Sequence, residues 1–242
     1  MNLIIDVGNT RVKAAVFKGD TLQKSFSFEH SEIKDRIEKI KETFQIKHTI
    51  VSKVTSVIDT DLQEMFKNEH FMEVSNTSPV PFKNAYKTPK TLGVDRIALA
   101  AAAIHAFPNK NSLIIDAGTC ITFDFVSQEK EYLGGGISPG INMRYKSLHA
   151  YTNGLPSLNP ECPRELIGRN TEASIHSGII NGVLNEIEGV ISKYRMKYPD
   201  LTVVLTGGDT NFLAKQLKSS IFANQNFLLE GLNSILIFNS SK

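Results

Sequence analysis

Leu3-Ile4-Ile5-Asp6-Val7-Gly8 decides the reading of this chain, because it returns as Leu113-Ile114-Ile115-Asp116-Ala117-Gly118. The second copy stands 110 residues after the first, without a gap, and differs only at Val7/Ala117. A threonine follows each copy, at Thr10 and Thr119, and each then runs into a second apolar stretch, 12–17 and 121–126. β-Branched runs suit strands, and glycine admits the backbone of a tight turn. Each copy therefore predicts strand, turn, strand. One copy alone would be a bland hairpin, but two copies about one domain length apart imply duplication of a whole α/β unit. At 242 residues the chain is long enough for one to two domains. The polar, Pro-containing stretch 107–111 suits the boundary, giving domains over 1–110 and 111–242.

The intervening patterns fit two α/β halves. Ile33, Ile37, Ile40 and Phe44 recur at helical spacing, and a second helix is predicted over 61–68. Residues 48–54 read as a short strand, and Gly93 opens a loop into an Ala-rich, buried helix ending near Phe107. In the second half, Ile175, Ile179, Ile180, Val183, Leu184, Ile187, Val190 and Ile191 predict a long amphipathic helix over 171–198, with Thr171 as its N-cap. A buried strand over 201–205 ends at Thr206-Gly207-Gly208-Asp209, and a helix is expected over 209–219. The Gly- and Pro-rich segment 134–164 reads as an insertion of loops and short helix.

Composition excludes several classes. Lys plus Arg is 27 and Asp plus Glu 25, a net charge of +2, too balanced for an electrostatic nucleic-acid binder. Two cysteines, Cys120 and Cys162, with no CxxC, cannot build a disulfide scaffold or a thiolate zinc site. The longest apolar stretch, 97–107, is about half a membrane span and contains His105. No secretory signal precedes Asp6, so a cytoplasmic protein without membrane or nucleic-acid partners is expected. Gly136-Ile137-Ser138-Pro139-Gly140 formally matches GxSxG, yet Pro139 has no N–H for an oxyanion hole. Neither a P-loop nor a dinucleotide fingerprint occurs, and the six histidines show no tight ligand spacing. His105 and His176 fall within predicted helices and read as core or interface residues.

The two turns carry the chemistry. Asp6 and Asp116 sit where apolar strands stop, so their carboxylates project from a sheet end. Gly8 and Gly118 let a ligand approach the backbone, Asn9, Thr10 and Thr119 add polar groups, and Lys13 adds a point charge. Turn N–H groups with a lysine suit phosphate oxygens, and a carboxylate suits hydrated Mg²⁺. The same aspartates also fit a purely turn-forming role.

The succession Asp-Val-Gly-Asn-Thr (6–10), Gly-Val-Asp-Arg (93–96), Asp-Ala-Gly-Thr (116–119), Gly-Gly-Gly-Ile-Ser-Pro-Gly (134–140) and Thr-Gly-Gly (206–208) resembles the type III pantothenate kinases, members of the acetate kinase, sugar kinase, Hsp70 and actin superfamily. The first hairpin alone indicates only the superfamily; its combination with Gly-Val-Asp-Arg and the Ser-Pro-Gly loop is far more specific. The resemblance implies an α/β fold of two duplicated actin-like (ribonuclease H-like) domains with an interdomain nucleotide cleft. It implies ATP-dependent phosphorylation of pantothenate to 4′-phosphopantothenate, the first step of coenzyme A biosynthesis.

By matching motif, the resemblance places ATP phosphates on Asp6, Val7, Gly8, Asn9, Thr10, Arg11, Val12 and Lys13, with Asp6 holding Mg²⁺ or another divalent ion through water. Asp116 would hold an activating K⁺ or NH₄⁺, Thr119 would contact ATP, and 206–208 would lie near the adenosine. Asp95 would be the general base on the substrate hydroxyl. Physically, the hydroxyl must shed its proton as it attacks the γ-phosphorus, and a helix N-terminus favours the ionised carboxylate. A plain N-cap is the alternative for Asp95. Tyr86, Gly93, Val94 and Arg96 would line the pantothenate site, Arg96 pairing with its carboxylate or else making a surface ion pair. Thr171 would contact pantothenate from the partner subunit of a homodimer, or simply cap its helix. A nucleotide-switched regulatory factor, an actin-like ATPase and a superfamily kinase for another small hydroxyl acceptor are the competing readings.

Overall fold

A computed structural model describes residues 1–53, 62–66 and 70–240. The chain forms two compact units. The first comprises residues 1–109, 126–133 and 226–242, the second residues 110–125 and 134–225. This differs from a simple division at 110/111: the C-terminal segment packs with the first unit, and so does a short piece around residue 130.

In the first unit, β1 (Asn2–Val7), β2 (Val12–Lys18) and β3 (Thr21–Phe28) form an antiparallel meander. Helix α1 (Ile33–Thr43) leads to β4 (His48–Lys53), which pairs parallel to β1. After α2 (Leu62–Met65), β5 (His70–Glu73) pairs parallel to β4, giving the sheet order β3-β2-β1-β4-β5. The ends of the helix expected over 61–68 and of the strand expected over 48–54 lie outside the described residues. Ile33, Ile37 and Ile40 of α1 pack on Leu3, Ile5 and Val7, the odd-numbered face of β1, and on Val12, Ala14 and Val16 of β2.

The opposite face is covered by two helices of the same unit. Short β6 (Lys83–Asn84) precedes α3 (Val94–Ala106), the Ala-rich helix the composition predicts. Its partner is the C-terminal helix, α7 in chain order (Phe227–Ser240), which contacts α3, β1, β2 and β4. The alanines have a purpose here. A side chain at Gly231 would run into the backbone carbonyl of Ala98, so α3 and α7 touch backbone to backbone. His105, read as a core or interface residue, lies half-exposed on α3, 3.6 Å from Asp20.

The second unit repeats the opening. Strands β7 (Ser112–Ala117) and β8 (Cys120–Val126) flank the second turn, and β9 (Glu131–Pro139) lies next to β8. Thus the Gly-rich start of the expected 134–164 loop insertion is strand. Glycine is a poor strand former, but Gly135 has no room for a Cβ against the Phe123 carbonyl, so close strand approach demands it. Helix α4 (Ile141–Ala150) follows, then irregular chain to α5 (Thr171–Lys197). Strand β10 (Thr202–Thr206) pairs parallel to β7, with α6 (Thr210–Ala214) and β11 (Phe222–Ala223) beyond it. Ile175, Ile179, Ile180, Val183, Ile187 and Ile191 of α5 pack on Leu113, Ile115, Ala117 and Ile121. Among the described residues no helix is long and apolar enough to cross a membrane.

Candidate active site

Strand alternation decides where Asp6 points. With Leu3, Ile5 and Val7 turned toward α1, residues Asn2, Ile4 and Asp6 face α3 and α7. Asn2 Nδ2 confirms the face by donating to Asn233 Oδ1 of α7 at 2.9 Å. Strand register then puts Lys13 opposite Asp6 on β2 and Ser52 opposite it on β4, one row across the sheet. Asp6 is only 8% exposed, and its Oδ1 is buried without a hydrogen-bond partner. Burial pushes its pKa up to about 6; Lys13 opposes that rise and the charge of Asp95 adds to it. The Ser52 hydroxyl also favours the charged form, although it makes no hydrogen bond of full geometry.

The turn after Asp6 is closed by Gly8 N–H donating to Arg11 O at 3.2 Å. Asn9 and Thr10 are exposed at its tip, and Lys13 is half-buried behind it. Val7 and Val12 are fully buried, so only their backbone is available to a ligand. Arg11 is turned sideways, donating to Ser27 Oγ at 3.0 Å and Glu29 Oε1 at 2.8 Å. His30 Nε2 bonds to Gly8 O at 2.9 Å. Ligand-spacing rules pass over His30, because its role is to hold a backbone carbonyl that only the fold brings near.

Asp95 is the second residue of α3. The N-cap is Gly93, with an extended backbone (φ −60°, ψ 140°), so the plain N-cap reading of Asp95 gives way. Its Oδ1 accepts from the Arg96 N–H at 2.9 Å. A Cβ at Gly93 would overlap that oxygen, so glycine makes space for the carboxylate. Val94 opens the helix, half-buried. Arg96 is not a surface residue. It is 6% exposed, with its guanidinium carbon 5.7 Å from the Tyr86 ring centre and 6.0 Å from that of Tyr132. The first unit therefore brings Asp6, Lys13, Asp95, Arg96 and Tyr86 together from separate stretches. Tyr132, which no motif flagged, joins them.

In the second unit, Asp116 is half-buried on the face of β7 away from α5, and Thr119 is exposed at the turn. This turn is braced by backbone. Gly118 N–H donates to Cys120 O at 2.9 Å, Gly140 N–H to Thr119 O at 3.1 Å and Asp209 N–H to Ala117 O at 2.9 Å. Gly207 adopts φ +97° and packs against Ala117 O and Asp116 Oδ1, where any side chain would collide. Asp209 Oδ2 is buried without a partner, and burial pushes its pKa up. Thr171 is not the N-cap of α5; Asn170 is, its Oδ1 accepting from Ala173 N–H at 2.8 Å. Thr171 is the exposed first helical residue and lines a groove of about 680 Å³ along α4 and α5, with Arg144, Ser147 and Ile175.

A buried carboxylate oxygen without a partner, an opposed lysine and an open turn suit a hydrated divalent ion and phosphate oxygens. Among the described residues no cluster of three His, Cys, Asp or Glu could hold a metal by itself, so such an ion would draw its other ligands from phosphate and water. The comparisons decide the family. A sequence model described as type III pantothenate kinase matches residues 2–193. The type III pantothenate kinase of Christiangramia forsetii is 50% identical over 244 residues, covering 100% of both chains. This chain belongs to the type III pantothenate kinases. As a pantothenate kinase it uses ATP with a divalent metal to phosphorylate pantothenate, the opening step of coenzyme A biosynthesis. Solved structures agree on the fold. A Campylobacter jejuni chain named for a Baf family of transcriptional activators is 23% identical (TM-score 0.62, 99% of this chain and 100% of that one). A glucokinase from an Antarctic psychrotroph is 11% identical (TM-score 0.55, 98% of both chains in each direction). At such identities the likeness carries the actin-like kinase fold alone.

Proposed function

We propose that Asp95 is the general base of pantothenate phosphorylation and that Arg96 binds the pantothenate carboxylate. The observation that carries this is the meeting of Asp95 with Asp6: their charges interact across the face that α3 covers. Phosphate binding falls to the backbone of 7–12, to Asn9 and Thr10 and to Lys13, with Arg11 bracing the turn through Glu29. Asp6 would hold the divalent ion through water; its orphaned Oδ1 and raised pKa are what a cation would relieve. When bound, that ion supplies charge neutralisation on the phosphates. Asp95 accepts the proton of the primary hydroxyl while that oxygen attacks, and Arg96 fixes the far end of the acceptor. A guanidinium offers the bidentate geometry that a carboxylate needs. Tyr86 and Gly93 shape the space around it.

Thr119 is assigned to ATP and Asp116 to a monovalent cation, K⁺ or NH₄⁺. The oxygen-rich surroundings of Asp116, with the Ala117 carbonyl at Gly207, support that choice. A homodimer in the cytoplasm, with Thr171 reaching the partner's acceptor, completes the reading. Exposed Tyr151, Leu166 and Ile167 support the dimer, and sedimentation tests it. A net charge of +2 disfavours a regulatory role on DNA. A coupled ADP-release assay with pantothenate, with and without K⁺, tests the whole. Asp95→Asn should keep the fold and ATP binding while losing about 10²–10⁴-fold in turnover; full turnover by that variant refutes the base.

A further inference from the structure

We infer that Tyr132 is a positioning residue that sets the guanidinium of Arg96 for the acceptor carboxylate, a role that rests on the reading of Arg96 above. Tyr132 is fully buried near the start of β9. Its ring touches both aromatic neighbours of the site, with centroids 6.0 Å from Tyr86 and 6.4 Å from Phe82. Arg96 lies over the rings of both Tyr132 and Tyr86, so two π faces meet one cation. Such faces attract a guanidinium through the ring quadrupole, more strongly where water is excluded, as at this 6%-exposed arginine.

The backbone of the same residue does a second job. Residue 132 pairs with Asn84 of β6, and its carbonyl accepts from Ala85 N–H at 3.0 Å. Asn84 Oδ1 in turn accepts from Tyr86 N–H at 3.1 Å. Lys83 and Glu131 clamp the start of this pairing at 2.6 Å. One position thus anchors the loop that carries Tyr86 and supplies a ring to Arg96. A long, flexible side chain is held in one orientation before substrate arrives, which is what a planar two-point contact requires.

The test compares pantothenate with the analogue in which its carboxylate is replaced by CH₂OH. Tyr132→Phe should stay within about twofold of wild type for both acceptors. Tyr132→Leu should lower kcat/KM for pantothenate about tenfold, leave the KM for ATP unchanged, and leave the alcohol analogue unaffected. Equal losses with both acceptors would overturn the role and leave only core packing. If wild type itself makes no distinction between the acceptors, the Arg96 reading falls and takes this inference with it. Should the leucine variant not fold, stepwise fluorination of phenylalanine at 132 keeps the volume while weakening the π face. The kcat/KM for pantothenate should then decline with each fluorine, and a flat series overturns the inference.

Discussion

Gly93→Ala perturbs the position of the base while leaving the helix that carries it in place. The backbone at 93 is one that alanine adopts freely, at φ −60° and ψ 140°. The added methyl would overlap Asp95 Oδ1 and stand 3.4 Å from Asp95 Cγ and 3.9 Å from Oδ2. The obstacle is the end of a side chain, so rotation of Asp95 relieves it while the helix stays. Restoring an ordinary contact requires Oδ1 to move by about 1 Å, and a misplacement of about 1 Å costs roughly 10²-fold in rate. The stability cost is smaller. Alanine is a poorer N-cap than glycine by about 1 kcal/mol, which in a chain of 242 residues lowers Tm by only about 2–4 °C. Steady-state ADP release should therefore show kcat reduced about 100-fold with the KM for ATP within twofold, alongside a melting curve only slightly shifted. Wild-type kcat would refute the claim that the Asp95 carboxylate has one working position. So would a loss of kcat matched by loss of ATP affinity, because that would mean the whole site had shifted.

Three further outcomes follow from the same structure. Asp6 has a folded pKa of about 6 against an ordinary 3.8, so between these values the native state holds the extra proton and stability falls as pH rises. Urea denaturation of the metal-free protein should show Asp6→Asn free of that loss and roughly 3 kcal/mol ahead of wild type above pH 6; parallel profiles would count against it. For Gly231→Ala, helix propensity gains at most about 1 kcal/mol, but the methyl meets the Ala98 carbonyl, and such overpacking costs about 1–3 kcal/mol or more. A fall in Tm of several degrees is expected, and a rise would contradict the backbone contact. Arg144 ties Pro139 O and Ser138 Oγ, both at 2.9 Å, to Glu186 on α5, next to the Gly140 that holds Thr119. Arg144→Ala should raise the KM for ATP several-fold, measured in the same assay, and an unchanged KM for ATP would count against that bracing role.

Local patterns were legible because they need no partner. The apolar runs before Asp6 and Asp116 are strands whatever they pack on, and Ile33, Ile37 and Ile40 form one helical face by spacing alone. Asp95 beside Arg96 could be read as a pair but not placed. That Arg96 is buried under two rings depends on Tyr86, in the loop before its helix, and on Tyr132, from a strand well beyond it. Helix α7 carried no readable face, since its apolar residues surround it; tertiary contacts such as Gly231 against Ala98 and Asn233 with Asn2 give it an address. His30 and Tyr132 escaped notice because their partners are a backbone carbonyl and a cation contributed by other segments.

By itself, the order of residues determined the duplicated strand-turn-strand units, the helices with a clear period and the chemistry each turn could offer. Those properties follow from torsional preference and side-chain alternation over a few residues. Tertiary structure alone decided that Asp6 and Asp95 share one face of the sheet, that Asp6 is driven toward its neutral form, and that Arg96 is shielded from water. Those properties depend on burial and on contacts between segments far apart in the chain, and neither is encoded in any local stretch.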